Sequence, residues 1–321
     1  MAFFMETKMI FDFPTPLVKL DGFSSAHEVY LKRDDLIHPM ISGNKWRKLK
    51  YNLEFAKSEL KTTLITKGGP YSNHIAAVAT AGNLYGFQTK GLIRGEEPVI
   101  FGSTLRFAQK MGMNFNFIPR NIYPDLKDFY DNIGSEKTYF IPEGGTNELA
   151  FQGCGELIKE ILEQTDISMT AICLACGTGG TAAGILRSVL SSTEIIGFSA
   201  LKGNWLKSEI EMLAGRAYPN LRVLDKYCFG GYAKTNDQLI QFINEFYNKY
   251  GVPLDPVYTG KMMFGLNDML QNGALPEGTK VIAIHTGGLQ GAYGFQEKGV
   301  KLNWLEDPGC EEAIAIKEYM L

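Results

Sequence analysis

The sequence predicts an α/β protein made of two three-layer units with mostly parallel sheets. Two observations carry this. Short apolar runs alternate with helical stretches along nearly the whole chain, as expected where helices cover both faces of a parallel sheet. The alternation also runs in two separate series, which implies two domains with a cleft between them, and ligands in such folds bind where strand ends meet helix starts.

In order, residues 14–31 read as a leading strand and turn region, with Glu28–Lys32 alternating. A helix is expected over 45–59, where Trp46, Leu49, Leu53 and Ala56 share one face. Strands follow at 63–67, 89–93, 114–118 and 138–141, with helices at 73–85, 99–112 and 124–133 between them. The second series runs helix 148–164, strand 170–175, helix 180–192, strand 195–200, helix 204–214, strand 221–225, helices 234–249 and 261–272, and strand 280–285.

Composition narrows the function. The chain has 321 residues, 45% hydrophobic and 21% charged, with 32 basic against 35 acidic residues for a net charge of −3. No basic block points to nucleic acid. The opening residues lack a basic segment followed by an apolar one, and no apolar run reaches the roughly 18 residues of a membrane span. Five cysteines, an odd number, suit a reducing cytoplasm. Cys173 and Cys176 spell C-x-x-C inside an apolar strand, with no second pair nearby to complete a metal site, so core packing is expected and no metal.

Five stretches can carry chemistry. Ser42-Gly43-Asn44 leads into Lys45 at a helix start, where Ser42 or Asn44 can cap the helix and a positive field favours the free amine over the ammonium. By position alone Lys45 fits a surface helix with a misplaced charge better, and only the rest of the chain overturns that. Gly68-Gly69-Pro70-Tyr71-Ser72-Asn73-His74 joins a strand to a helix, either as an anion site or as an ordinary cap. Gly177-Thr178-Gly179-Gly180-Thr181 repeats that arrangement with glycine amides and threonine hydroxyls around a potential phosphate. This loop also fits G-x-G-x-x-A, but the following strand ends Ser199-Ala200-Leu201-Lys202 without the acidic residue that a dinucleotide ribose requires. A monophosphate therefore fits better, and no P-loop signature occurs. The remaining two stretches, Asp255–Lys261 and His285–Gly291, place Tyr258 and Thr286 beside glycines; Tyr232 and Tyr258 can serve as proton donors.

Taken in this order, the Ser-Gly-Asn-Lys-x-x-Lys, Ser-Asn-His, Gly-Thr-Gly-Gly-Thr and His-Thr-Gly-Gly segments resemble the pyridoxal-phosphate enzymes of the tryptophan-synthase-β fold type. The resemblance is to the 1-aminocyclopropane-1-carboxylate deaminase / D-cysteine desulfhydrase family, from Thr15 to about Gly294. It implies that Lys45 forms the Schiff base with pyridoxal 5′-phosphate and that Asn73 bonds the ring hydroxyl. Gly177, Thr178, Gly179, Gly180 and Thr181 would hold the phosphate with Lys48, and Thr286 would lie near the ring. Ser72, Asn73, His74, Tyr232, Tyr258 and Thr259 would surround a small amino-acid substrate, with Lys45, Ser72, Tyr232 and Tyr258 taking catalytic parts.

Deaminases of this family read Tyr-Glu and His-Leu-Gly-Gly where this chain has Tyr258-Thr259 and His285-Thr286-Gly287-Gly288. Both departures match the desulfhydrase side. The expected activity is thus β-elimination from D-cysteine to pyruvate, ammonia and sulfide, with cyclopropane ring opening to 2-oxobutyrate as the alternative. A neutral Thr286 near the ring nitrogen would favour elimination over transamination. The expected enzyme class covers carbon–sulfur lyases, deaminases and hydrolases of amino-acid metabolism. The expected assembly is a cytoplasmic homodimer with a large cofactor-binding domain (1–50 and 152–321) and a small domain (51–151).

Overall fold

The computed structural model describes residues 13–123, 135–166 and 170–320. The chain begins with the hairpin β1 (Leu17–Lys19) and β2 (Val29–Lys32), then α1 (Asn44–Ser58). A first series follows: β3 (Thr63–Gly68), α2 (Asn73–Tyr85), β4 (Gln88–Arg94), α3 (Ser103–Lys110), β5 (Met113–Ile118) and β6 (Thr138–Ile141). The second series is α4 (Glu148–Gln164), β7 (Thr170–Cys176), α5 (Gly180–Leu186), β8 (Glu194–Ser199), α6 (Leu206–Ala214), β9 (Leu221–Leu224), α7 (Asp237–Tyr250), α8 (Thr259–Gln271) and β10 (Lys280–Ile284). Three helices end the described chain, α9 (Tyr293–Gln296), α10 (Asn303–Glu306) and α11 (Glu311–Met320).

The strands form two sheets. The six-stranded sheet has the order β1-β2-β10-β7-β8-β9 and is parallel except for β1, while β5-β4-β3-β6 is wholly parallel. The expected α/β class is therefore realised. The pleat of β7 shows how the larger sheet is held: Ala171, Cys173 and Ala175 face one apolar layer, while Ile172, Leu174 and Cys176 face another. Burial on both faces explains why the strand is a continuous apolar run. All five cysteines are buried and free. Burial pushes the Cys176 thiol up to about 12, so it packs as a small apolar group.

Helix α1 sits between the two sheets. Trp46, Leu49, Leu53 and Ala56 join α2 and α3 in the core of the small sheet. Its opposite face meets α4, where Gly153 allows backbone contact: a Cβ there would lie 1.9 Å from the Arg47 carbonyl oxygen. A buried ion network crosses the same seam. Arg47 donates to Asp34 at 2.6 and 2.8 Å and to Glu160 at 2.9 Å, and Lys32 pairs with Glu160 at 3.0 Å.

Several boundaries depart from the sequence pattern. α5 stops at Leu186, short of the expected residue 192, and Arg187 turns to donate to the Leu213 and Ala214 carbonyls. The C-terminal helices were not anticipated; α11 buries only Ala313 and Ile316 and has almost no apolar periodicity to detect. The helix expected at 124–133 lies outside the described residues. Among the described residues no helix is long and apolar enough to cross a membrane.

Replacing Gly153 with alanine forces Cβ into a backbone carbonyl that cannot rotate away. The expected loss is roughly 1–3 kcal/mol, toward the upper end of that range. A fall in the urea-unfolding midpoint relative to wild type measures it.

Candidate active site

Loops at the C-terminal ends of β3, β4, β7 and β10 meet the start of α1 around a cavity of about 280 Å³. Lys45 lines it, half-buried, and donates from Nζ to Asn44 Oδ1 at 2.9 Å. Burial, then the positive charge of Lys48, hold its amine down at about 7. A substantial fraction is therefore free base near neutrality. The expected side-chain cap on α1 is not made. Gly43 occupies the cap position at φ 57°, Ser42 Oγ accepts from Gly288 N at 3.0 Å, and Asn44 Nδ2 donates to Thr181 Oγ1 at 3.0 Å. These side chains tie α1 to two other loops and leave its own amides alone.

The turn after β3 forms a second wall. Ser72 caps α2, its Oγ accepting from His74 N at 3.2 Å and Ile75 N at 3.4 Å. The hydroxyl hydrogen remains available to a ligand. Asn73 lines the cavity and donates to the Gly288 carbonyl at 3.3 Å. His74 touches the cavity but is buried beneath it with Nε2 2.9 Å from Thr66 Oγ1. Burial, then Lys45 and Lys48, drive its pKa far below the ordinary value, so it is a neutral structural group.

The glycine loop after β7 forms the third wall. Gly177, Thr178, Gly179 and Thr181 line the cavity, and Gly179 has φ 80°. A Cβ on Gly180 would sit 2.5 Å from Thr146 Oγ1 and 3.1 Å from Lys48 Nζ, so the loop closes on Lys48 only because that position is glycine. Lys48 is buried and donates to the Gly144 carbonyl at 3.0 Å.

Tyr232, Tyr258 and Thr286 complete the lining. The two phenol rings meet edge to face, centroids 6.2 Å apart. Burial, then Tyr232, pushes the Tyr258 phenol far up, and burial also raises Tyr232; both are protonated at neutral pH. Thr259 departs from expectation: it is fully buried outside the cavity lining, its hydroxyl donating to Asp255 Oδ1 at 2.7 Å. Asp255 also accepts from the Val257, Tyr258 and Thr259 amides and so fixes the turn that carries Tyr258.

Sequence reading missed Arg94, Glu143, Gly144 and Thr146, which line the cavity or back its phosphate-loop wall. Their signal was the same as for the loops that were found, a strand end followed by glycine: Arg94-Gly95 after β4, and Gly144-Gly145 after β6. Among the described residues no cluster of potential metal ligands occurs.

The family model "pyridoxal-phosphate dependent enzyme" matches residues 10–287. The chain belongs to that family. The pyridoxal-phosphate enzyme is 33% identical to the mitochondrial bifunctional D-cysteine desulfhydrase/1-aminocyclopropane-1-carboxylate deaminase of Arabidopsis thaliana, covering 91% of this chain and 80% of the relative. It is 30% identical to the D-cysteine desulfhydrase of Salmonella typhi, covering 88% and 94%. A crystal structure of an ACC deaminase homologue superposes with TM-score 0.77 at 30% identity, covering 90% of this chain and 93% of that one. The chain is thus a pyridoxal-phosphate-dependent enzyme of the deaminase and carbon–sulfur lyase group. Nothing in these relatives supports a hydrolase, and that part of the expected class is withdrawn.

The residues present fit the cofactor. An amine of lowered pKa stands in a cavity whose facing wall is a side-chain-free glycine cradle backed by Lys48. In cofactor-free protein, modification of Lys45 by an amine-reactive reagent is expected to rise with an inflection near pH 7. Replacing Lys48 with methionine removes a like charge and should move that inflection upward, though not to the usual lysine value, because burial persists. Peptide mapping of the labelled lysine across pH checks both.

Proposed function

We propose that this enzyme catalyses β-elimination from D-cysteine or a closely similar small amino acid, giving pyruvate, ammonia and sulfide. The observation that carries the reading is the Tyr258-Thr259 turn. Position 259 holds no carboxylate, and its hydroxyl is spent on buried Asp255, so no negative charge enters the cavity from there. The second support is Thr286, a neutral side chain on the cavity wall.

Bound pyridoxal phosphate supplies the electron sink that makes the substrate Cα–H acidic and allows the Cβ–S bond to break. Lys45 Nζ would hold the cofactor aldehyde, and its amine, kept near neutral by burial, would take the Cα proton. The Ser72 hydroxyl donates to the substrate carboxylate at the α2 N-terminus, where the positive dipole end favours an anion. Asn73, held by the Gly288 carbonyl, would orient the ring, while Gly177–Thr181 and Lys48 would hold the phosphate. Tyr258, protonated and fixed by Asp255, donates a proton to the departing sulfur, with Tyr232 packed against it. His74 supports the turn from below through Thr66.

The same reading divides the chain into a large domain of residues 1–50 and 152–321 and a small domain of 51–151, and takes the working form as a cytoplasmic homodimer. Cyclopropane ring opening is the second reading, supported by the deaminase names carried by relatives such as the Arabidopsis thaliana and Pyrococcus horikoshii proteins.

Purified holoenzyme incubated separately with D-cysteine, L-cysteine and 1-aminocyclopropane-1-carboxylate decides between them. Pyruvate with sulfide from D-cysteine is the expected result; 2-oxobutyrate from the cyclopropane amino acid without pyruvate from D-cysteine overturns it. Lys45→Ala should lower turnover at least about a thousandfold. Borohydride reduction of the wild-type holoenzyme should leave a pyridoxyl group on Lys45 alone.

A further inference from the structure

Two charged side chains face the cavity with no part in the chemistry above. Arg94 closes β4, and Glu143 follows β6. In the small sheet β4 and β6 flank β3 on opposite sides, so Arg94 and Glu143 stand on either side of the Gly68–Asn73 turn. Their charges make the two outer walls unlike.

Arg94 is held but not neutralised. Its guanidinium lies 5.5 Å from the Tyr123 ring centroid, and the Lys67 ammonium lies 5.1 Å from the same ring. Among the described residues no carboxylate pairs with Arg94, and its N–H groups make no hydrogen bond to protein. Its Nη2 is 3.5 Å from where a Gly69 Cβ would be, on the outer side of the turn, and its charge reaches the Tyr232 phenol. Tyr232 is 40% exposed and Tyr258 is not, so Tyr232 marks the outer end of the cavity. A forked, permanently charged donor set, itself exposed, thus stands at the outer end of the cavity.

Resting on the elimination reading, we infer that Arg94 recognises an anionic group carried on the substrate's β-substituent, so that the enzyme accepts S-substituted cysteines with a negatively charged substituent. Glu143 enforces the orientation by repelling that group from the opposite wall. The step balances as ordinary elimination. Cα–H breaks with its proton going to Lys45, and Cβ–S breaks with its electron pair leaving on sulfur. Water then releases pyruvate and ammonia, so S-carboxymethylcysteine gives mercaptoacetate.

The test compares S-carboxymethylcysteine with S-carbamoylmethylcysteine, equal in shape but uncharged, each as D and L forms, on holoenzyme. Pyruvate release gives kcat and KM, and the change in cofactor absorbance gives a dissociation constant even where turnover is absent. Wild type should prefer the charged compound at least tenfold, mainly in KM or Kd. Arg94→Gln should bring the ratio to near one, Arg94→Lys should restore part of it, and Glu143→Gln should raise it, because the repulsion it removes is felt only by the charged compound. A wild-type ratio near one overturns the inference. So does a ratio unchanged in Arg94→Gln, or an equal fall for both compounds, which would place Arg94 at the α-carboxylate or in the fold. Failure of the elimination reading is separate: it appears as absence of pyruvate from D-cysteine.

Discussion

The site depends on one close backbone approach. Gly43, in the left-handed region at φ 57°, passes so near the loop after β10 that a Cβ would stand 2.1 Å from the Thr286 carbonyl oxygen. Gly287 returns the contact, its own absent Cβ falling 2.3 Å from Ser42 Oγ. Neither position tolerates a side chain, and Gly43 also needs a dihedral that other residues rarely adopt. Asn44 N donating to the Thr286 carbonyl, at 3.3 Å, and Gly288 N donating to Ser42 Oγ clamp the two turns together. Lys45 is the residue after this clamp, and Thr286 lies on its other side. The position of the Lys45 amine relative to the Thr286 loop is therefore set by main chain, which is stiffer than any side-chain contact.

Behind that clamp, α1 is fixed by charge as well as by packing. Arg47 reaches both Asp34 and Glu160 from a position 1% exposed, and Thr15 Oγ1 donates to Asp34 Oδ1 at 2.7 Å. Such a network adds little net stability compared with apolar residues of equal volume, but removing one partner strands the others and costs roughly 3–5 kcal/mol. Its effect is on specificity of position. The residues on either side of Arg47 face the cavity or the small-sheet core, so the angle at which α1 enters determines where Lys45 and Lys48 point.

Much of this was legible in the chain, and the exceptions have physical causes. Strands such as 138–141 and helices such as 73–85 and 148–164 coincide with their apolar patterns, because each buries one face or both against a sheet. The glycine loops were visible because glycine between a strand and a helix has few reasons to be there other than close approach. Ser42 and Asn44 misled because short polar residues before a helix usually cap it, and here tertiary partners on the 181 and 288 loops took those side chains instead. Thr259 misled for a related reason: adjacency to Tyr258 in sequence placed it in the cavity, but in a helix start successive side chains point apart, and Asp255 claims it. Arg94 and Glu143 were passed over despite the glycines beside them, because a lone charge near a strand end reads as an ordinary surface residue, and Arg94 is indeed exposed.

The electrostatics of the cavity follow from that geometry and explain why its parts work together. Lys45, Lys48 and Arg94 all border it, while the nearby Asp255 is occupied in capping four backbone or hydroxyl donors. In the proposed arrangement the cofactor phosphate answers Lys48 and the substrate's outer group answers Arg94. Burial keeps Lys45 close to neutral between them, and the neighbouring ammonium of Lys48 pushes it the same way. A carboxylate beside Lys45 would stabilise its ammonium and remove the free amine that the proposed chemistry uses. Thr286 thus leaves its own wall uncharged, and the carboxylate that does border the cavity, Glu143, stands on a different loop, after β6.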